Sequence, residues 1–211
     1  MWIRFLNAFV KITGYPVQKV IFRTKVYYED KRVQRRHIKG KAIVISNHTS
    51  VWDYAVYLFV FFTRTFRCQM AEVLFEKQPL GVFLKMMGGI LVNRNAFDFG
   101  FIGRSQEILD KGGVVGIFPE SRLPLKGEER PLEFKPSAAY LALLSGAPVI
   151  PVFTNGKYFT WQRARVIIGT PIDARSLTDD SLSEKENIAA VTKALRDKII
   201  DLERQLNEKT K

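Results

Sequence analysis

Apolar positions recur along the chain with two different periods. Near the start, Trp2, Phe5, Leu6, Phe9 and Ile12 fall three or four residues apart, with Arg4, Asn7 and Lys11 between them. That spacing predicts an amphipathic helix over residues 2–13. Gly14 and Pro16 are expected to end it, and a second apolar patch, VQKVIF, follows. Short apolar runs further on predict strands in KVYYE, KAIVIS, FRCQMA, GGILVNR, VVGIF, PVIPVF and RARVIIG. Helical patterns intervene: YAVYLFVFF, apolar on every side; QPLGVFLKMM; the stretch 99–110, closed by Lys111-Gly112-Gly113; and AAYLALL. Ser183 and Glu186 form a capping box that opens a last helix. Ile188, Val191, Leu195, Ile199, Leu202 and Leu206 make its apolar stripe.

Strands alternate with helices, which predicts a single α/β domain with a central, mostly parallel or mixed sheet covered by helices. A chain of 211 residues can bury one substantial core. The uncharged segment from Pro136 to Gly156 has the length of a bilayer span. Ser145-Gly146, Pro148 and Pro151 divide it into a helix, a turn and a strand instead. The first helix fits docking on the core. Its terminal position, its Trp and Phe content and its basic flanks (Lys19, Arg23, Lys25) favour an interfacial helix, with rings at the acyl boundary and cations near lipid phosphates. Residues 1–24 are therefore set apart as an amphipathic, membrane-associating segment, and 25–211 as the domain that carries chemistry.

Composition narrows the partners. The formal charge is +12, which favours an anionic surface: nucleic acid, an acidic membrane or a phosphorylated substrate. KRVQRRHIKGK supplies a basic run, but no recognisable nucleic-acid motif accompanies it, so no nucleic-acid partner is expected. A lone cysteine, Cys68, excludes an internal disulfide and points to a reducing compartment. With two histidines it offers no convincing metal ligand set. The first apolar stretch carries Arg4 and Lys11 and lacks a small-residue cleavage site, so no secretory signal is read there.

Three clusters could carry chemistry. In NHTSVWD, His48 follows a strand and precedes Asp53 by five positions. Groups at strand ends are where α/β sheets gather function. A tight turn through Thr49 and Ser50 would bring the carboxylate to the imidazole, fix its tautomer and leave Nε2 to take a proton from a hydroxyl. Taken alone, the pair better fits a strand cap beside a helix start. In GIFPESRLP, Arg122 could grip a phosphate, with Glu120 orienting it or bonding a substrate hydroxyl; a surface ion pair is the plain alternative. In GGILVNR, Arg94 lies just past a strand and is a second candidate phosphate ligand, or a solvated loop cation. No activated nucleophile is visible: Cys68 sits in an apolar run, and G-x-S-x-G is absent. A base without a nucleophile must activate a second substrate directly.

The order NHTSVWD, GGILVNR, IFPESR, then FKPSAAYLAL and VIPVF, resembles the four blocks of the glycerolipid acyltransferase family, which includes 1-acylglycerol-3-phosphate acyltransferases. The likeness runs from about Lys41 to Phe153, and its most specific part is His-x4-Asp together with IFPE. It implies His48 as general base and Asp53 as its orienting partner, with Asn47 in the position before the histidine. Arg94 matches the arginine held to contact the acceptor's phosphate, Glu120, Ser121 and Arg122 match the third block, and these four together with Asn47 are implied to bind substrate. It further implies transfer of an acyl chain from a coenzyme A or acyl-carrier-protein thioester to a lysophospholipid hydroxyl, with no bound cofactor, at the cytoplasmic side of a membrane as a peripheral or monotopic protein. Acyl transfer to a different lipid or glycerol-phosphate acceptor, and a non-catalytic basic membrane-binding protein, are the other readings. The chain departs from the family pattern in three places. The third block commonly reads FPEGTRS; here Ser121 replaces the glycine and Arg122 comes one position early. Glu72 stands where a lysine is common, and Ser137 replaces a glycine.

Overall fold

In the computed structural model, which describes residues 2–93, 99–159 and 161–211, the apolar runs build one sheet. Helix α1 (Trp2–Ile21) leads to β1 (Lys25–Tyr28) and β2 (Ala42–Ser46), then α2 (Asp53–Val60) and β3 (Phe66–Ala71). Next come α3 (Glu72–Glu76), α4 (Leu80–Met86), β4 (Ile90–Val92), α5 (Gly100–Asp110) and β5 (Val114–Ile117). The chain continues through α6 (Ser137–Ser145), β6 (Val149–Thr154), β7 (Arg165–Ile168), a 3-10 turn at Ala174–Leu177 and α7 (Glu184–Glu208).

The strand order is β1-β7-β6-β2-β5-β3-β4. Strands β6, β2, β5, β3 and β4 run parallel to one another. The sheet is mixed because β7 runs antiparallel to β6, and β1 runs parallel to β7. The five parallel strands thus deliver their C-terminal ends, and the loops that follow, to one edge of the sheet. The antiparallel turn brings the start of β7 to that same edge.

Both sheet faces are covered, so the central strands read as nearly continuous apolar runs. Val44, Val114, Ile150, Val152, Val166 and Ile168 point into the layer made with α1 to α4. Their neighbours Ile43, Ile45, Val115, Val149 and Ile167 point to the layer made with α5, α6 and α7. The alternation is the period-two geometry of a strand. Helix α7 seals the second layer with Val191, Leu195, Ile199, Leu202 and Leu206. Its capping box forms as the sequence predicts: Ser183 Oγ accepts the Glu186 N–H, and Glu186 accepts the Ser183 N–H.

The first helix departs from the expectation. It does not stop at Gly14 and Pro16 but runs on to Ile21 with Pro16 inside it. An interior proline costs a helix about 3 kcal/mol, so packing has to override local propensity here. The anchors lie on either side of the proline. The Asn7 amide donates to the Met87 carbonyl at 3.0 Å, and the Lys11 ammonium donates to the carbonyls of Phe61, Phe62 and Arg64 just beyond α2. Gln18 is buried one turn before the end. Gly14 permits the approach: a Cβ there would lie 2.9 Å from the Phe59 ring. The polarity of α1 is inverted with respect to the core. Asn7, Lys11 and Gln18 are its buried residues, while Phe5, Phe9, Ile12 and Val20 are 62%, 56%, 67% and 76% exposed.

Candidate active site

Strand β2 ends at Ser46, and α2 begins at Asp53 after six intervening residues. The intervening turn folds back on the helix start. His48 Nδ1 lies 2.8 Å from Asp53 Oδ2. The same carboxylate accepts the backbone N–H groups of Thr49 at 2.7 Å and Ser50 at 2.9 Å, and the Thr49 hydroxyl at 2.8 Å. Tyr158, from the loop after β6, donates its hydroxyl to Oδ1 at 2.7 Å. Asp53 is fully buried, and five donors compensate its removal from water. Burial first, and then the neighbouring Asp53, holds the Tyr158 phenol well above its usual pKa, so it remains a donor.

With Nδ1 committed to the carboxylate, the imidazole Nε2 has no protein partner among the described residues. The ring itself is partly open, its side chain 20% exposed. Phe118, the first residue after β5, stacks on it with centroids 4.4 Å apart and planes 20° apart. The tautomer and the ring plane are therefore set by two different contacts, one polar and one apolar.

The neighbouring candidates serve this loop from inside the protein. Asn47 is buried and makes a reciprocal pair with β6: its Nδ2 donates to the Thr154 carbonyl, and the Thr154 N–H donates to its Oδ1, both at 2.9 Å. Glu120 is 3% exposed. It accepts the His48 N–H at 2.7 Å on one oxygen and the Leu132 N–H at 3.0 Å on the other. Burial raises its pKa, and the two N–H donors oppose that rise. Glu120 thus fastens the backbone of His48 to the third block and is not hydrogen-bonded to Arg122. Arg122 instead pairs in a fork with Glu128, at 2.7 and 2.8 Å, on the outer side of the loop. Ser121, where the family's glycine is common, adopts φ +61°. The loop keeps the left-handed turn without the residue that adopts it most readily. Arg94 lies outside the described residues.

Sequence reasoning missed Tyr158, Gly156 and the Leu132 N–H. Gly156, at φ +63°, packs against the catalytic-loop candidate Thr49, whose Oγ1 would be 2.6 Å from an added Cβ. The only signal for Gly156 and Tyr158 was position: NGKYF follows the end of a parallel strand. Cys68 matches its reading, fully buried with its thiol pushed upward by burial.

A sequence model of the acyltransferase family matches residues 23–155, a span that holds the whole His48–Asp53–Glu120 arrangement. The chain belongs to the acyltransferase family. The acyltransferase is 31% identical over 140 residues to the 1-acyl-sn-glycerol-3-phosphate acyltransferase of Bacillus subtilis, covering 64% of this chain and 67% of that one. Its fold is similar to the crystal structure of the 1-acyl-sn-glycerophosphate acyltransferase PlsC from Thermotoga maritima. The TM-score is 0.66 at 20% identity, over 95% of this chain and 81% of that one. This mixed α/β sheet is thus the one on which such an enzyme is built.

Proposed function

We propose that the acyltransferase moves a fatty acyl chain from a thioester to the free hydroxyl of a lysophospholipid, 1-acylglycerol-3-phosphate, giving phosphatidic acid. The 2.8 Å contact from His48 Nδ1 to Asp53 carries this reading, because it turns Nε2 outward as a base. Nε2 takes the hydroxyl proton as the oxygen attacks the thioester carbonyl carbon. The tetrahedral intermediate then expels the thiolate by breaking the C–S bond, and the imidazolium returns the proton to sulfur. Products are the new ester and the free thiol, with His48 regenerated. Positioned base catalysis contributes about a hundred- to ten-thousandfold; alignment of the two substrates supplies more.

Arg94 and Arg122 are assigned to the acceptor's phosphate, with Arg122 first having to leave Glu128. Asn47, Glu120 and Ser121 shape the wall of that site from behind. The thioester is carried on coenzyme A or on acyl carrier protein. Residues 1–24 form the membrane-associating segment and 25–211 the acyltransferase domain, working at the cytoplasmic face. The outward Trp2, Phe5, Phe9, Ile12 and Val20 of α1 support this placement. No described helix is long and apolar enough to cross a membrane, and a helix lying in the interface does not need to be.

The test is an assay of purified protein with lysophosphatidic acid and each thioester donor. His48→Ala should remove nearly all turnover while circular dichroism and melting stay unchanged. Undiminished turnover in that variant would take His48 out of the reaction. Arg94→Ala and Arg122→Ala should raise the acceptor's KM more than the donor's.

A further inference from the structure

Between the end of α1 and α2 lies a cavity of about 390 Å³ that the acyl-transfer reading does not use. Lys19, Arg23, Arg36 and Arg163 line it, and no carboxylate among the described residues does. Their own contacts leave their charges uncompensated. Arg36 spends Nε and Nη2 on the carbonyls of Val60 and Phe59, at 2.8 and 2.5 Å. Lys19 lies 4.9 Å from the Tyr15 ring centroid, and Arg23 reaches the Trp161 carbonyl at 3.4 Å. Like charges gathered in a concave, partly apolar wall focus a positive potential there.

Two further groups on the wall are incomplete. Gln18 is 8% exposed, and its Oε1 has no hydrogen bond; neither has the buried Thr24 Oγ1. Buried polar atoms are nearly always partnered. Turning the Gln18 carboxamide about its last bond exchanges oxygen for NH2, which makes it a donor beside the Thr24 hydroxyl. Arg23 is held at φ +49°, an uncommon state for a residue with a Cβ.

We propose that this cavity is a binding site for the phosphoryl group of an anionic membrane phospholipid, separate from His48. Lys19, Arg23 and Arg163 supply charge, and Gln18 and Thr24 supply neutral donors. The source follows from the surroundings: Val17 and Val20 of α1 beside it are 54% and 76% exposed, and Trp161 is 96% exposed. This choice of source rests on the interfacial reading of α1; the anion site does not. The phosphates of the thioester donor offer the same chemistry and have to be told apart by experiment. The site also adjoins the reaction machinery. Phe22, next to Arg23, packs edge-on against Tyr158 with centroids 5.7 Å apart, and Tyr158 bonds Asp53.

The test is calorimetric titration of the intact protein with monomeric dihexanoyl phosphatidylglycerol, dihexanoyl phosphatidylcholine, coenzyme A and inorganic phosphate. Wild type is compared with Arg23→Gln/Arg163→Gln and with Lys19→Gln, each checked for an unchanged melting profile. The expected result is phosphatidylglycerol binding that weakens at least about tenfold in the double variant. Phosphatidylcholine should bind weakly to both proteins, and coenzyme A equally to both. Phosphatidylglycerol binding that is absent, or unchanged in the variants, overturns the site. Loss of coenzyme A binding in the double variant, or inorganic phosphate binding as tight as the lipid, overturns the lipid assignment. Monomeric ligand and a heat readout need neither a bilayer nor turnover. A failure here is therefore separable from a failure of α1 to dock or of His48 to catalyse.

Discussion

Tyr158 and Asp53, 105 residues apart in sequence, are joined by a 2.7 Å hydrogen bond inside the fold. The bond makes the loop after β6 part of the support for the His48 carboxylate partner. Tyr158→Phe keeps the ring packed on Phe22 and removes the hydroxyl, which donates to Asp53 and also lies 3.1 Å from Thr154 Oγ1. It should lower stability by about 1–3 kcal/mol, the range for a bond to a buried charged group. It should lower kcat by up to about a hundredfold through loss of alignment, with donor KM little changed. Steady-state kinetics together with urea unfolding would check both.

Asp53→Asn keeps the shape of the side chain but not its acceptor set. An amide can keep its one oxygen toward His48 Nδ1 and the N–H groups of Thr49 and Ser50, but it then turns an NH2 toward the hydroxyls of Thr49 and Tyr158 and carries no charge to stabilise the imidazolium. kcat should fall by about a hundred- to ten-thousandfold. A loss below tenfold would mean that the aspartate only braces the turn.

Lys11 gives a stability profile with a definite sign. Burial lowers its pKa from 10.5 to about 8. Between those values the unfolded chain holds a proton that the folded chain has released, so the unfolded state binds more protons. Stability from this group therefore rises as pH climbs from about 8 to 10.5, by up to about 3 kcal/mol. Lys11→Met should flatten that segment of a denaturation-versus-pH curve, and an identical slope in both proteins would contradict the assignment.

Ser121→Gly tests the departure in the third block. At φ +61° an L-residue is held against its preference, and glycine is not. The substitution should raise stability by about 1 kcal/mol, measured by chemical unfolding. Activity should survive, since the Phe118 to Glu120 backbone contacts are unaltered.

Gly156→Ala should do the opposite. A Cβ 2.6 Å from Thr49 Oγ1 forces the turn that donates to Asp53 to move. Turnover should fall by at least about tenfold while α7 and the sheet stay intact by hydrogen exchange.

How much of this was legible depended on distance along the chain. The capping box of Ser183 and Glu186 spans three residues, and the turn that joins His48 to Asp53 spans five, so both could be read from adjacent letters. The central strands were legible because the runs of β2, β5 and β6 are buried on both faces. The grip of Glu120 on the His48 N–H crosses 72 residues. The grip of Asn47 on Thr154 crosses 107. Neither leaves a local pattern, so both side chains were expected to face a substrate. Arg122 was expected to do so too, and the sequence gives no warning that Glu128 would meet it six positions on. Local rules also stopped α1 at Pro16, because the bonds from Asn7 and Lys11 to the chain just beyond α4 and α2, which hold the helix in place, leave no local mark.

Those bonds put the demand for shape on only one side of α1. Asn7 and Lys11 meet fixed protein atoms and have little room for exchange. Phe5, Phe9, Ile12 and Val20 look out onto an environment that, if liquid hydrocarbon, has no contour of its own to match. In a saturation library the outward positions should accept nearly any greasy side chain regardless of outline, whereas the inward ones should reject almost every replacement. A single twenty-residue helix would then carry two unrelated rates of sequence drift, one on each of its sides.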